Sequence, residues 1–370
     1  MTTSTVHFWN LRASLKSGNE ARLTKLVKAA GKDLGLAPGD LTAVKIHFGE
    51  QGVTGFVRPL LLKPLIAWLV GQGAKPFLTD ASTLYVGRRG EAVSHHLVAA
   101  EHGFDPLVLG APVIIADGVR GQHQEAVRIR GKHVKKAFIA GDIAAADALV
   151  SVNHVKGHEM AGFGGALKNL GMGCASKQGK MHQHITTGPV LDPEKCVGCG
   201  SCALVCAAGA LVLGEAGKAV LDMEKCVGCG MCFTACKTGA LAIDWKTDIQ
   251  AFLERMMEYA KAVLATKTRP CLHLNFVLSV VPDCDCMGFT DAAMCPDIGV
   301  LASTDPVAVD QASVDLVNAA QPLWPSRLPK GLKPGDNKFL AVHPHVPEDM
   351  GLAYAEKIGL GSRKYKLVQI

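Results

Sequence analysis

Cys196, Cys199, Cys202 and Cys206 follow the spacing C-x2-C-x2-C-x3-C, and Cys226, Cys229, Cys232 and Cys236 repeat it thirty residues later. The lead-ins match as well, LDPEKCVGCG against LDMEKCVGCG. A cubane [4Fe–4S] cluster needs four thiolates at tetrahedral corners, and a tight loop supplies three of them when glycines let the backbone curl around the sulfurs. Gly198, Gly200, Gly228 and Gly230 stand where such a loop needs them. Structural zinc is the competing reading. It usually takes two C-x2-4-C pairs and four ligands in all, so eight cysteines in a doubled spacing speak for clusters.

This segment resembles the bacterial two-cluster ferredoxins, in which the fourth Cys of each run ligates the other cluster. The resemblance implies that Cys196, Cys199, Cys202 and Cys236 hold one cluster, and that Cys226, Cys229, Cys232 and Cys206 hold the second. Each copy would complete the other. The family pattern carries Pro after the fourth Cys, whereas this chain has Ala207 and Lys237. Both restore a backbone N–H that Pro lacks. Lys237 adds a cation, and donors and cations beside a cluster favour its reduced form.

The rest of the chain is far larger than this segment. Its 370 residues suggest two or three domains, with 48 % apolar residues, 5 % aromatics and 40 glycines. That balance favours an α/β protein with many tight loops. The net charge of +6 is mild, and no basic run interleaves with aromatics, so no nucleic-acid partner is expected. A basic surface suits an acidic redox partner protein, as donor or acceptor. Of thirteen cysteines, five lie outside the repeats, an odd remainder that speaks against a secreted disulfide framework. No leader pattern and no membrane-length apolar run is evident. A cytoplasmic, oxygen-protected setting is expected.

Short apolar runs alternate with helical patterns on both sides of the repeats. Strands are expected at 44–48, 75–80, 112–117, 146–152 and 272–281, and helices at 58–74, 91–104, 248–267 and 306–320. The end of the chain reads as strand 338–343, helix 347–360 and strand 364–370. This is an α/β fold with a mostly parallel sheet. Its first part would span 1–187 and its second 247–370, with the ferredoxin-like unit, 188–246, inserted between them. Two consecutive α/β domains are the alternative. The Met256–Met257 pair falls on the apolar face of its helix and reads as core.

Two polar stretches stand out. SVNHVKGHEMAGFGGALKNLGMGCASKQGKMHQH, 151–184, follows a predicted strand, and parallel sheets gather ligands at the C-terminal ends of their strands. Asn153, His154, Lys156, His158 and Lys168 are the candidates there, with Gly162, Gly164, Gly165, Gly171 and Gly173 expected to free backbone donors. The spacing fits neither a Walker A loop nor a dinucleotide fingerprint. The second stretch, PDCDCMGF, sets Cys284 and Cys286 around Asp285 just after a strand, with Cys295 and Asp297 following. Thiols of this kind can bind metal or do redox chemistry. Cys174 and Cys271 read as inert buried thiols.

The segments VKIHFGEQGVTGFVRP, KPFLTDASTLYVGRRGEAVSHHLVAAEHGF, NHVKGHEMAGFGGALKNLGMGCASKQGKMHQH, CDC and PDIGVLASTDPVAVDQASVDL together resemble the domain of unknown function 362 family, in its form with an internal ferredoxin. A fainter likeness to the nickel-pincer lactate racemases rests on Arg58–Pro59 and GGALKNLGMG. The first resemblance implies an iron–sulfur redox protein. Three functions follow from these readings. One is a ferredoxin-fed reductase acting on a small molecule in a cleft. Its catalytic candidates are His154, Lys156, His158, Lys168, Cys284 and Cys286, and its binding candidates are His47, Asp80, Asn153, Gly164 and Gly165. A bound flavin or a further metal would suit that cleft. The second is an electron carrier or adaptor that docks a partner enzyme. The third is a metallocentre-assembly protein.

Overall fold

Eight apolar segments with strand-forming residues pair into one sheet: β1 (Ser4–Trp9), β2 (Leu41–Lys45), β3 (Lys75–Asp80), β4 (Val113–Ile115), β5 (Ala148–His154), β6 (Leu272–Val277), β7 (Gly299–Ser303) and β8 (Tyr365–Gln369). The computed structural model describes residues 3–85, 87–184, 189–226, 231–243 and 248–370. The strand order is β8-β1-β7-β6-β5-β2-β3-β4. Pairing is parallel except at β7, which runs antiparallel to both β1 and β6. Strands from before and after the cysteine repeats thus share one sheet, and the first and last strands lie side by side.

Every residue of β5, β6 and β7 is buried, as expected for strands covered on both faces. Alternate side chains feed two apolar layers. Val44, Leu78, Val150, Val152 and Leu274 pack under the helices Asn19–Gly31 and Lys63–Gly71. Ala43, Phe77, Leu149 and Leu301 face the opposite layer, with the helices Ile249–Ala265 and Pro306–Ala319. Met256 and Met257 belong to that core.

Some boundaries differ from those read in the sequence. The apolar run 338–343 is a helix, Lys338–Val342, and no strand. Asn337 caps it, its Oδ1 accepting the Leu340 N–H at 2.9 Å, which a six-residue apolar run cannot announce. β6 stops at Val277, four residues short of the expected end, so that PDCDC lies on a loop. The strands β1 and β7 were not anticipated.

The repeats form two short antiparallel pairs. Residues 189–191 pair with 241–243, and 211–213 pair with 219–221. The start of each copy therefore pairs with the end of the other or of its predecessor, in matching register. Local contacts repeat as well. The Asp192 N–H donates to Ala240 O and the Asp222 N–H to Ala210 O, both at 2.7 Å. Asp192 meets Lys195 at 3.0 Å and Asp222 meets Lys225 at 2.9 Å.

Candidate functional site

A polar row crosses the middle of the sheet on one face. Lys45 is registered with Ser151, Ser151 with His273, and Asn153 with Asn275. Side chains two apart on a strand share a face, so these groups meet. Asn153 Nδ2 donates to Asn275 Oδ1 at 2.9 Å, and Asn275 Nδ2 donates to Asp310 Oδ1 at 2.7 Å. Asn169 Nδ2 donates to Asn153 Oδ1 at 2.8 Å, while Lys45 Nζ donates to Asn169 Oδ1 at 2.6 Å and pairs with Asp80 at 2.9 Å. Asp310 also accepts the N–H groups of Ala166 and Leu167, at 2.7 and 2.9 Å. Burial nonetheless pushes its carboxyl up to about 6.

Above this row, at the C-terminal ends of β2, β3 and β5, lies a cavity of about 470 Å³. His47, Asp80, Asn153, His154, Lys156, His158, Gly164, Gly165, Lys168 and Cys286 all line it. The residues selected from the sequence therefore converge on one place, where an α/β sheet gathers its ligands. The cavity also takes in Tyr85, Arg89, Lys180, His184 and Phe252, which sequence reasoning missed.

The loop after β6 carries the thiols. Asp285 stands between them in the chain, in a turn closed by the Met287 N–H to Cys284 O bond at 3.0 Å. Its carboxylate accepts His154 Nδ1 at 2.8 Å and meets Lys156 Nζ at 3.1 Å. The other ring nitrogen of His154 faces the carbonyls of Leu278 and Ser279, at 2.9 and 3.2 Å. With both nitrogens engaged, His154 anchors the loop and has none left for proton transfer. Gly157 lets the same loop approach closely, since a Cβ there would lie 2.0 Å from Pro282 O.

On the opposite side, ligand atoms of His158, Cys284 and Cys286 all lie within 4.8 Å of one another. Lys168 Nζ stands 3.7 Å from Cys284 Sγ. The hydrogen bond from Cys286 holds the Cys284 thiol well below its ordinary value, against burial and with help from Lys168 and His158. That same bond, with burial, raises Cys286. Burial and Lys168 lower His158 to about 4, so the ring is neutral. Burial lowers Lys180 to about 8. His47 is pushed well down by burial and by Arg89, and its Nδ1 accepts the Gly49 N–H at 3.0 Å.

The glycines are divided in role. Gly164 lines the cavity with ordinary contacts, but a Cβ on Gly165 would meet Asp310 Oδ1 at 2.3 Å, and one on Gly171 would meet Met256 O at 2.2 Å. Gly165 and Gly171 therefore serve packing within the protein and not the close approach of a ligand. Burial raises the thiols of Cys174 to about 11 and of Cys271 and Cys295 to about 12, as befits inert side chains.

In the repeat segment, Cys196, Cys199, Cys202 and Cys236 line one small pocket. Three of them come from the first copy and one from the second. Gly198 turns the backbone there with φ +68°, and a Cβ on it would lie 2.0 Å from Gly217 O. The Ala219 N–H points at Cys196 Sγ at 3.4 Å, and in the partner half the Ala210 N–H points at Cys206 Sγ at 3.2 Å. Four convergent thiols with backbone donors fit a four-thiolate metal cluster. The other candidates are Cys206, Cys226 and Cys232, and Cys229 lies outside the described residues.

The domain of unknown function (DUF362) family matches residues 42–315, which include the polar loop, the repeats and the CDC loop. The chain belongs to this family. Among solved structures, the DUF362 chain is similar to the lactate racemase apoprotein from Thermoanaerobacterium thermosaccharolyticum, at 12 % identity and TM-score 0.43, over 86 % of this chain and 58 % of that one. It is also similar to a structural-genomics protein from Thermotoga maritima, at 12 % identity and TM-score 0.39, over 72 % of this chain and 52 % of that one. The chain thus spans less than two thirds of either. No curated protein matches it.

Proposed function

We propose that the chain is an iron–sulfur redox protein, in which residues 189–243 hold two [4Fe–4S] clusters and the cavity holds the small molecule that is reduced. One observation carries this reading: Cys196, Cys199 and Cys202 of one repeat and Cys236 of the other line a common pocket. The clusters, when bound, supply electrons one at a time. Cys206, Cys226, Cys229 and Cys232 would serve the second.

The remaining residues bind, orient and protonate. Asp80 and Glu50 balance Arg89, and Asp285 balances Lys156. Lys168 and Lys180 line the cavity without a carboxylate partner among the described residues, which suits an anionic substrate. Lys180, titrating at about 8, can give up a proton near neutral pH. His154 and Asp285 hold the thiol loop in position. The connections to the repeat segment leave from the cavity wall itself: His184 and Phe252 both line it, and their rings stack with centroids 4.9 Å apart. Pro189 follows His184 by five positions, so covalent geometry keeps those two within about 18 Å.

A pure electron carrier would account for the cysteine repeats, but it would give no role to a cavity lined by this many buried ionisable groups. A flavin remains a candidate occupant, and an acidic donor or acceptor protein a candidate partner. No helix among the described residues is long and apolar enough to cross a membrane. The test is a stepwise reductive titration of the anaerobically purified protein, followed by electron paramagnetic resonance. Uptake of about two electrons per chain, with cluster signals, is expected. A protein that takes up none overturns the reading.

A further inference from the structure

We propose that His158, Cys284 and Cys286 form a separate metal site for a divalent cation of the zinc class, with its fourth position open to the cavity. This deepens the reading of the cavity as a substrate site and does not depend on the clusters.

The three ligand atoms already lie within 4.8 Å of one another. Tetrahedral zinc, with bonds of about 2.0–2.3 Å, sets neighbouring ligands roughly 3.3–3.8 Å apart, so small side-chain rotations close the site. His158 Nδ1 accepts the N–H groups of Met160 and Ala161, at 3.1 and 3.2 Å, and zinc at Nε2 requires the ring proton on Nδ1, so loading the site would break these two contacts. Lys168 Nζ lies 3.7 Å from Cys284 Sγ, where it supplies an outer N–H to a ligating sulfur. Asp285 and His154 pin the loop from behind.

The donor set also indicates what the site would do. Two thiolates, one imidazole and a free position is a catalytic arrangement, since structural zinc closes its fourth position with protein. Cys286 and His158 line the cavity, so the free position faces it. A divalent cation with two thiolates is neutral, which leaves Lys168 and Lys180 to favour an oxygen-donor anion there. The metal would polarise a carbonyl or similar oxygen of that ligand.

The experiment uses the full-length, iron-loaded protein, purified without oxygen, incubated with equimolar Zn(II) and desalted. Zinc and iron are counted separately, and the zinc shell is read by X-ray absorption. The expected result is one zinc per chain with two sulfurs and lighter N/O neighbours. The Cys284→Ser/Cys286→Ser variant should retain at least tenfold less zinc with its iron unchanged. If that variant loses its helical circular dichroism, His158→Ala replaces it, with the same tenfold loss expected. No retained zinc, equal zinc in wild type and variant, or an all-sulfur shell overturns the proposal. A protein without iron that still binds this zinc would refute the cluster reading alone.

Discussion

Asp285 is 1 % exposed and faces both His154 and Lys156. Removing it would leave two buried nitrogen-bearing groups without their acceptor and release the loop that carries both thiols. Asp285→Ala should therefore lose about 3–5 kcal/mol of stability in chemical denaturation, the usual cost of breaking a buried ion pair from one side. A loss under about 1 kcal/mol would show that the loop is held by other contacts. Several of these residues were legible because polar side chains in a Gly-rich stretch after a strand have few structural reasons to be there. Asn153 was read as a binding residue and His154 as a catalytic one, and neither role was legible as the structure has it. Only the fold shows that Asn153 is spent on Asn275 and Asn169, and His154 on Asp285 and two carbonyls. The signal that could have found Lys45, His273 and Asn275 was polarity at alternate positions in otherwise apolar strands, on the face that Ser151 and Asn153 share. Lys180 lies in the polar stretch 151–184 but was not singled out there, and Arg89 left no such signal, since it reaches the cavity from a distant segment.

The helix Ile249–Ala265 does more than fill the core, as Glu254 and Glu258 on it hold the turn at 131–134. Burial raises the Glu254 carboxyl, but hydrogen bonds from Lys132 at 2.6 Å, His133 at 2.5 Å and Gln250 at 3.1 Å outweigh it and hold it at about 2. A carboxyl lowered by folding adds stability above its unfolded value, and that stability is lost as pH falls from about 4.5 toward 2. Glu254→Gln should thus cost about 1 kcal/mol at pH 7, a figure discounted for the exposure of Lys132, and the difference should shrink below pH 4.5. A pH-independent difference in urea midpoints would contradict this. The strand pairing of the repeat segment leads to a second expectation. Residues 189–191 pair with 241–243, so the end of the second copy lies against the start of the first. Cys236→Ala should therefore damage the cluster held by Cys196, Cys199 and Cys202. Loss of the cluster of Cys226 and Cys232 instead, seen by spectroscopy of the anaerobic variant, would refute crossed ligation. Parallel strands were legible as short apolar runs between helical patterns. β7 was not, because its five residues lie among turn-forming ones, and 338–342 was misread because a short apolar run carries no period.

At the scale of the molecule, a sheet built from both ends of the chain carries the cavity, and the cysteine repeats leave and rejoin it beside that cavity. His184 and Phe252 are in ring contact, so the two points of departure are already close. Replacing residues 188–247 by a short Gly/Ser linker should leave a protein that keeps the helical circular dichroism of its α/β part and unfolds cooperatively. Loss of cooperative unfolding would show that the sheet depends on the repeats. The cysteine repeats were legible because the motif is local, whereas the joining of β1 to β8 across the whole chain is a long-range pairing that no local pattern announces. What the eight cysteines bind decides between a redox protein and a zinc protein. Iron and acid-labile sulfide should be counted in protein purified without oxygen. About eight of each per chain are expected, as two cubanes. About two zinc ions per chain bound by the repeat cysteines, with no sulfide, would contradict the cluster reading.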